Sequence, residues 1–117
     1  KILSRNTSFY MLGWTPGTYD SHNPLNALMA TPGASGRGQF NLGSYSNKRL
    51  DDLTAQIAVE IDAKKRDAMI REAMQIHSDD VGHIPLHQQA LAWGMKRNVE
   101  TVQLADNFMF LKWTVLK

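Results

Sequence analysis

The chain has 117 residues, of which 43% are hydrophobic and 21% are charged, and its net charge is +2. This composition fits one globular domain over residues 1–117, and the scattered Lys and Arg residues do not favour a nucleic-acid partner. The chain has no cysteine, which excludes disulfide bonds and thiolate metal sites. No apolar run reaches the roughly 20 residues of a transmembrane helix. Because the chain starts at Lys1 and not at Met, we expect it to be a piece of a longer protein.

The first predicted element is the short apolar run from Phe9 to Trp14. The run is too short for a helix and is stopped by Pro16 and Gly17, so it predicts a buried strand. Pro, Gly, Asp, Ser and Asn crowd the next segment, Thr15 to Pro24, and predict a loop. The pattern therefore predicts a strand that leads directly into a loop.

A short helix is predicted from Leu25 to Ala30. Pro24 suits the first helical position, where its missing N–H leaves no bond unmade, and Asn23 precedes it as a candidate N-cap. One proline and three glycines fall between Thr31 and Gly38 and predict a flexible loop after this helix.

From Asn47 onward the apolar residues recur at helical spacing, and Asn47 is itself a suitable N-cap. Asp51 and Asp52 fall in the first turn, where the helix dipole favours negative charge. Residues at spacings of three and four predict one apolar face, formed by Leu50, Leu53, Ile57 and Ile61.

A second helix is predicted to begin after the N-cap Asp62 and to end near Val81. Asp67 and Arg71 are four residues apart and predict a surface ion pair worth about 0.2–0.5 kcal/mol. The predicted apolar positions of this helix are Met69, Ile70, Ala73, Met74, Ile76 and His77. The two helices together predict a helical hairpin.

The last third of the chain changes to a period of two, which is typical of strands. One strand is predicted after Pro85, with Leu91, Trp93 and Met95 on one face, and the closing strand carries Met109, Leu111, Trp113 and Val115. Trp93 and Trp113 are assigned to the core by this alternation. The predicted fold class is α/β, a small mixed sheet packed against the helical hairpin.

Neither a metal site nor a catalytic site is favoured by the residue pattern. His83 and His87 are four residues apart, but Pro85 interrupts the helix that would align them, and His77 is better interpreted as a partly buried helix residue. His22 falls in the predicted loop. The chain has no nucleophile elbow and no phosphate-binding glycine loop, and its acidic doublets are adjacent residues, which do not face each other on a helix. We therefore predict a protein that is not an enzyme and that needs no cofactor.

Trp14 and the loop that follows it are the best candidates for a binding wall. An aromatic residue at the end of a buried strand, followed by polar loop residues, is a common arrangement in ligand sites because the strand positions the loop. The alternative interpretation is that Trp14 is a core residue.

Four segments in this order resemble extracellular solute-binding protein family 5, which includes dipeptide-, oligopeptide- and nickel-binding proteins of ABC importers. They are FYMLGWTPGTYD from Phe9, YSNKRLDDL from Tyr45, DAKKRDAMIREAMQI from Asp62 and DDVGHIPL from Asp79. The resemblance implies part of the C-terminal lobe of a larger, two-lobed protein. Its ligand would lie in a cleft between lobes that close by a hinge motion.

The resemblance also implies a function and a location. The chain would capture a peptide or similar small solute for delivery to the membrane permease subunits. It would lie in the periplasm or outside the cell, and some relatives are associated with the membrane. The ligand-binding residues implied by the matching loop are Trp14, Thr15, Gly17, Tyr19 and Asp20.

Two departures from the family pattern bear on the ligand. Peptide-binding members carry an Asp three positions after the Trp that matches Trp14, whereas Gly17 stands there, so Tyr19 or Asp20 would have to hold a ligand ammonium group. The nickel branch presents a His in the loop after the short helix, and residues 31–39 contain none. Arg37 in that loop is either a contact for an anionic ligand or a solvated side chain.

A function of a different class is also compatible with the pattern. The helical hairpin of a stand-alone interaction module could dock a protein partner. If the chain is instead a lobe fragment, its uncovered strand edges and apolar surface predict self-association.

Overall fold

The computed structural model describes residues 1–4 and 6–117, which form two compact units, Lys1–Pro85 and Leu86–Lys117. The described residues combine helices with one two-stranded antiparallel sheet, so the predicted mixture of helix and strand is confirmed. No helix within the described residues is long and apolar enough to cross a membrane. That residues 1–117 belong to a single domain of a larger protein stays a prediction.

The first unit contains a short helix where one was predicted, but it begins earlier. Helix α1 spans His22–Pro24 and continues into a π-helical turn over Leu25–Met29, which the Ala30 N–H closes on the Leu25 carbonyl at 2.8 Å. Asn23 lies inside α1 and is not its N-cap, because the helix already begins at His22. Leu25 and Ala27 turn inward and are buried.

The predicted loop Thr31–Gly38 contains one 3₁₀ turn, Ala34–Gly36, and is bonded to the π-helical turn. The Gly38 N–H donates to the Asn26 carbonyl at 2.7 Å, and the Phe40 N–H donates to the Ala27 carbonyl at 3.0 Å. A Cβ at Gly38 would lie 2.4 Å from the Ala30 carbonyl oxygen, so only glycine allows this close approach.

Two longer helices, α2 over Lys48–Ile57 and α3 over Ala63–Asp79, form the predicted hairpin. Both predicted N-caps are confirmed. The Asn47 side chain accepts from two backbone N–H groups of α2, and the Asp62 side chain accepts from two of α3. Each cap satisfies donors that a helix start leaves without partners.

The core of the first unit lies between the hairpin and the π-helical turn. Leu53 and Ile57 of α2 pack with Leu25 and with Ala73 of α3, and all four are buried. Partly buried side chains close this cluster, and they are Met29, Met69, Ile70, Met74 and Ile76. The predicted placement of Ile61 on the apolar face is wrong, because α2 ends at Ile57 and leaves Ile61 97% exposed.

The predicted strand from Phe9 to Trp14 is wrong. Residues 1–4 and 6–85 contain no strand, and Phe9 is 76% exposed. A strand requires a neighbour that takes up its N–H and C=O groups, and none of the described residues pairs with this run. Its apolar residues consequently lie at the surface.

The second unit holds the sheet. Strand β1 is Val99–Glu100 and strand β2 is Val115–Leu116, with Val99 opposite Leu116. The Lys117 ammonium pairs with the Glu100 carboxylate beside this ribbon. Four residues form all of the sheet, so it offers little surface for burying neighbouring side chains.

Most of the strand predictions in this unit are wrong. The residues Leu91, Trp93 and Met95 lie in irregular, exposed chain, and Leu111–Trp113 form a 3₁₀ turn. Only Val115 of the predicted closing strand lies in a strand. Trp93 and Trp113 are exposed and are not core residues, because no second layer covers them within this unit.

Candidate functional site

Trp14 lies at the surface and is held in place by a polar bond. Its indole Nε1 donates to the Asn23 Oδ1 at 2.9 Å, and its ring lies 5.0 Å from the Phe40 ring in a tilted arrangement. The side chain is 37% exposed, so the interpretation of Trp14 as a core residue is wrong. A fixed, partly exposed indole is suited to contact a ligand.

An open cavity of about 320 Å³ lies beside the loop that follows Trp14. Most of its lining side chains are polar, and the lining residues are Thr18, Asp20, His22, Asn23, Asn26 and Ala27. Asn26 and Ala27 come from the π-helical turn, and the others come from the loop and from α1. The cavity can therefore offer hydroxyl, amide and imidazole groups to a small polar ligand.

Of the predicted ligand-binding residues, only Asp20 lines this cavity. Trp14 acts on it indirectly, because it holds Asn23. Thr15 and Gly17 are exposed, as is Tyr19, whose φ of 55° lies in a region that bulky residues seldom adopt. Whether these residues bind a ligand stays a prediction.

The Asp20 carboxylate already has partners within the chain. The Arg66 Nη2 lies 2.9 Å from both of its oxygens, and the His22 backbone N–H donates to Oδ1 at 2.8 Å. The His22 bond first, and the Arg66 bond second, hold the pKa of Asp20 below its ordinary value. A ligand ammonium group would have to compete with Arg66 for this carboxylate.

Arg66 joins the loop to the hairpin. Its Nε donates to the Ile57 carbonyl at the end of α2 at 3.1 Å, while its Nη2 holds Asp20. The sequence offered no local signal for this residue, since Asp20 lies 46 positions away. Arg37 is exposed, and its Nε donates to the Thr31 carbonyl at 3.1 Å, so it braces its own loop.

The Arg66–Asp20 pair is expected to couple the loop to the hairpin by about 1 kcal/mol, which is typical of a partly exposed ion pair. A double-mutant cycle of Arg66→Gln and Asp20→Asn, followed by urea unfolding, measures this coupling. Because the Asp20 pKa is lowered in the folded chain, the coupling is present above the ordinary carboxyl value of 3.8 and is lost as pH falls through the lowered value.

The matched control is a double-mutant cycle of Arg71→Gln and Asp67→Asn. It removes the surface ion pair of α3, which the structure confirms. Its two side chains are more exposed than those of the Arg66 pair, and its coupling is expected to be about 0.3 kcal/mol. Equal couplings in both cycles would mean that Arg66 does not hold the loop.

Histidines do not form a metal cluster in residues 1–4 and 6–117, where no group of three or more His, Asp or Glu side chains is arranged to bind an ion. His77 lies in α3, as predicted, and at 4% exposed it is more deeply buried than the partly buried position that was expected. His83 contacts His77, because the turn after α3 brings its ring back onto the helix.

Comparisons of the chain with protein-family models, with curated proteins and with solved structures found no significant match.

Proposed function

We propose that the chain is part of the C-terminal lobe of the substrate-binding component of an ABC importer. In this role it contributes one wall of an interlobe cleft that captures a peptide or similar small solute for delivery to the membrane permease. The observation that carries the proposal is the loop after Trp14, which side-chain bonds hold beside an open polar cavity. Small-molecule sites are usually largely preformed and carry a few polar groups in fixed positions that orient the ligand.

The distribution of apolar side chains also supports the proposal. Large hydrophobic residues are exposed along Phe9 to Leu12 in the first unit and along Phe108 to Leu116 in the second. These are the segments with strand-like sequence patterns. In a larger sheet these segments would pair with neighbouring strands, and a further layer would cover their apolar side chains, which are exposed in each unit by itself.

The proposed site has an open geometry, which predicts weak binding by the chain alone. A cavity with one wall leaves most of a small ligand in water, whereas productive ligand sites bury most of the ligand surface. The second wall would come from the opposing lobe. Calorimetric titration of the 117-residue chain with short peptides is therefore expected to give no measurable heat of binding.

The decisive measurement uses the complete open reading frame that encodes this chain. Peptides are expected to bind to the complete protein, and Trp14→Ala is expected to weaken binding at least tenfold, whereas the control Arg71→Ala leaves it unchanged. Tight binding by the 117-residue chain alone would contradict the proposal. A complete protein that has no second lobe would favour the interaction module instead.

A further inference from the structure

A pair of histidines closes the end of α3. His77 lies in the last turn of the helix, and its Nε2 is 2.8 Å from Nδ1 of His83, with the two rings stacked at 5.0 Å. One ring must donate its N–H while the other offers a lone pair, so at least one imidazole has to be neutral. Two protonated rings cannot make this bond and would repel each other.

The turn between the two histidines depends on this contact. A Cβ at Gly82 would lie 2.3 Å from Cε1 of His77, so the backbone passes directly over the buried ring. The Gly82 N–H donates to the His77 carbonyl at 3.1 Å. Val81 has a φ of 53°, which a β-branched residue adopts only when its surroundings hold it there. The turn is therefore a strained segment that rests on the His77 ring.

The charged and titratable groups around His77 do not favour its protonation strongly. Tyr45, from the segment before α2, packs edge-on against the His77 ring at 4.7 Å and donates its hydroxyl to Asp80 Oδ2 at 2.6 Å. Asn47 donates to the same oxygen at 2.8 Å. The Asp80 carboxylate favours a His77 cation, but burial of the ring and the neighbouring His83 outweigh it and lower the pKa of His77. Burial and the Asp80 bond raise the pKa of Tyr45 further above its ordinary value, so its hydroxyl keeps the proton that it donates to Asp80.

We propose that His77 and His83 form an acid-sensitive latch, which holds residues 80–83 on the end of α3 at neutral pH and releases them in mild acid. In the open state the buried ring of His77 would reach water and regain ordinary basicity, and the ring of His83, which is already exposed, would lose its contact with His77. In the closed state the buried ring of His77 resists a proton. Protons therefore favour the open state.

The direction and range of the response follow from the closed state. Burial, and secondly His83, lower the pKa of His77 from 6.5 to about 4, and burial also lowers the pKa of His83. Because the pKa of His77 is lower in the closed state than in the open state, the closed state is fully favoured above pH 6.5. It becomes less favoured as the pH falls toward 4. Within this window each unit of pH raises the ratio of open to closed latch by up to about tenfold through the protonation of His77.

Amide hydrogen exchange of the 117-residue chain at about pH 7 and about pH 5, corrected for intrinsic exchange, measures the opening. The protection of the Gly82 N–H is expected to fall tenfold or more between the two pH values, while that of the buried Leu53 amide in α2 changes far less. An equal loss at both amides would indicate global unfolding and would overturn the latch.

The double variant His77→Gln and His83→Asn places amides where the two bonded ring nitrogens lie, and it does not titrate. Its Gly82 protection is expected to be independent of pH over this range, whereas the control His87→Gln, at an exposed histidine, should respond as the original chain does. A double variant that still loses protection in acid would overturn the proposal. If the double variant does not fold, NMR titration of the histidine rings in the original chain tests the proposal instead. A titration midpoint near 6.5 for His77 would overturn the proposal.

Discussion

Replacing Leu53 with alanine is expected to lower the free energy of unfolding by about 2–3 kcal/mol, in the lower part of the range for buried leucines. Leu53 is fully buried where α2, α3 and the π-helical turn meet. Removal of its isobutyl group would leave a cavity in a small core. The lower value is expected because Met29, Met69 and Met74 border the cluster, and flexible methionines can fill part of a cavity.

Urea unfolding followed by circular dichroism measures this change. Ile61→Ala is the matched control, because Ile61 was predicted to share the apolar face with Leu53 but is exposed, and its replacement is expected to change stability by less than about 0.5 kcal/mol. Equal losses for the two variants would show that α2 continues past Ile57. If Leu53→Ala does not fold, Ile57→Val, with an expected loss of about 0.5–1.5 kcal/mol, provides the same comparison.

Replacing Asn41 with alanine is expected to lower the free energy of unfolding by about 3 kcal/mol, although Asn41 is polar. The side chain is 1% exposed and makes three bonds to backbone groups. Its Nδ2 donates to the carbonyls of Ala30 at 2.9 Å and Tyr45 at 2.8 Å, and its Oδ1 accepts from the Tyr45 N–H at 3.0 Å. Alanine would leave these groups without partners, and buried polar groups without partners are costly.

The variant Asn41→Asp separates hydrogen bonding from shape. It keeps the acceptor for the Tyr45 N–H but, when ionised, places a carboxylate against two carbonyl oxygens. Its folded-state pKa should therefore lie above the ordinary carboxyl value, so its stability relative to the original chain should be greatest in acid and should fall as pH rises. Comparison of urea midpoints over a pH series tests this sign. A difference that does not vary with pH would mean that Asn41 is accessible to water.

The helical hairpin could be predicted because its signals are local. Asn47 and Asp62 cap helices whose first turns follow immediately, and Leu50, Leu53 and Ile57 are related by the helical period alone. Ile61 fits the same period but lies beyond the end of α2, so the hydrophobic period alone does not indicate where the helix ends. The ion pair of Asp67 and Arg71 is local in the same sense.

The strands could not be predicted reliably because a strand depends on a partner elsewhere in the chain. Phe9 to Trp14 has the composition of a strand, yet no described segment pairs with it. The contacts that shape the candidate site are also long-range. Arg66 pairs with Asp20, 46 positions away in the sequence. The side chain of the buried Asn41 donates to the carbonyls of Ala30 and Tyr45, which precede and follow it in the chain. Nothing in the spacing of these residues indicates such contacts.

Hydrogen bonds between the π-helical turn and the loop after it link residue 38 to the wall of the cavity. Asn26 and Ala27 line the cavity, and their carbonyls accept the N–H groups of Gly38 and Phe40. A methyl group on residue 38 would collide with the backbone at Ala30 and push the loop away from the π-helical turn. The shape of the cavity is thereby sensitive to residue 38, which does not itself line the cavity.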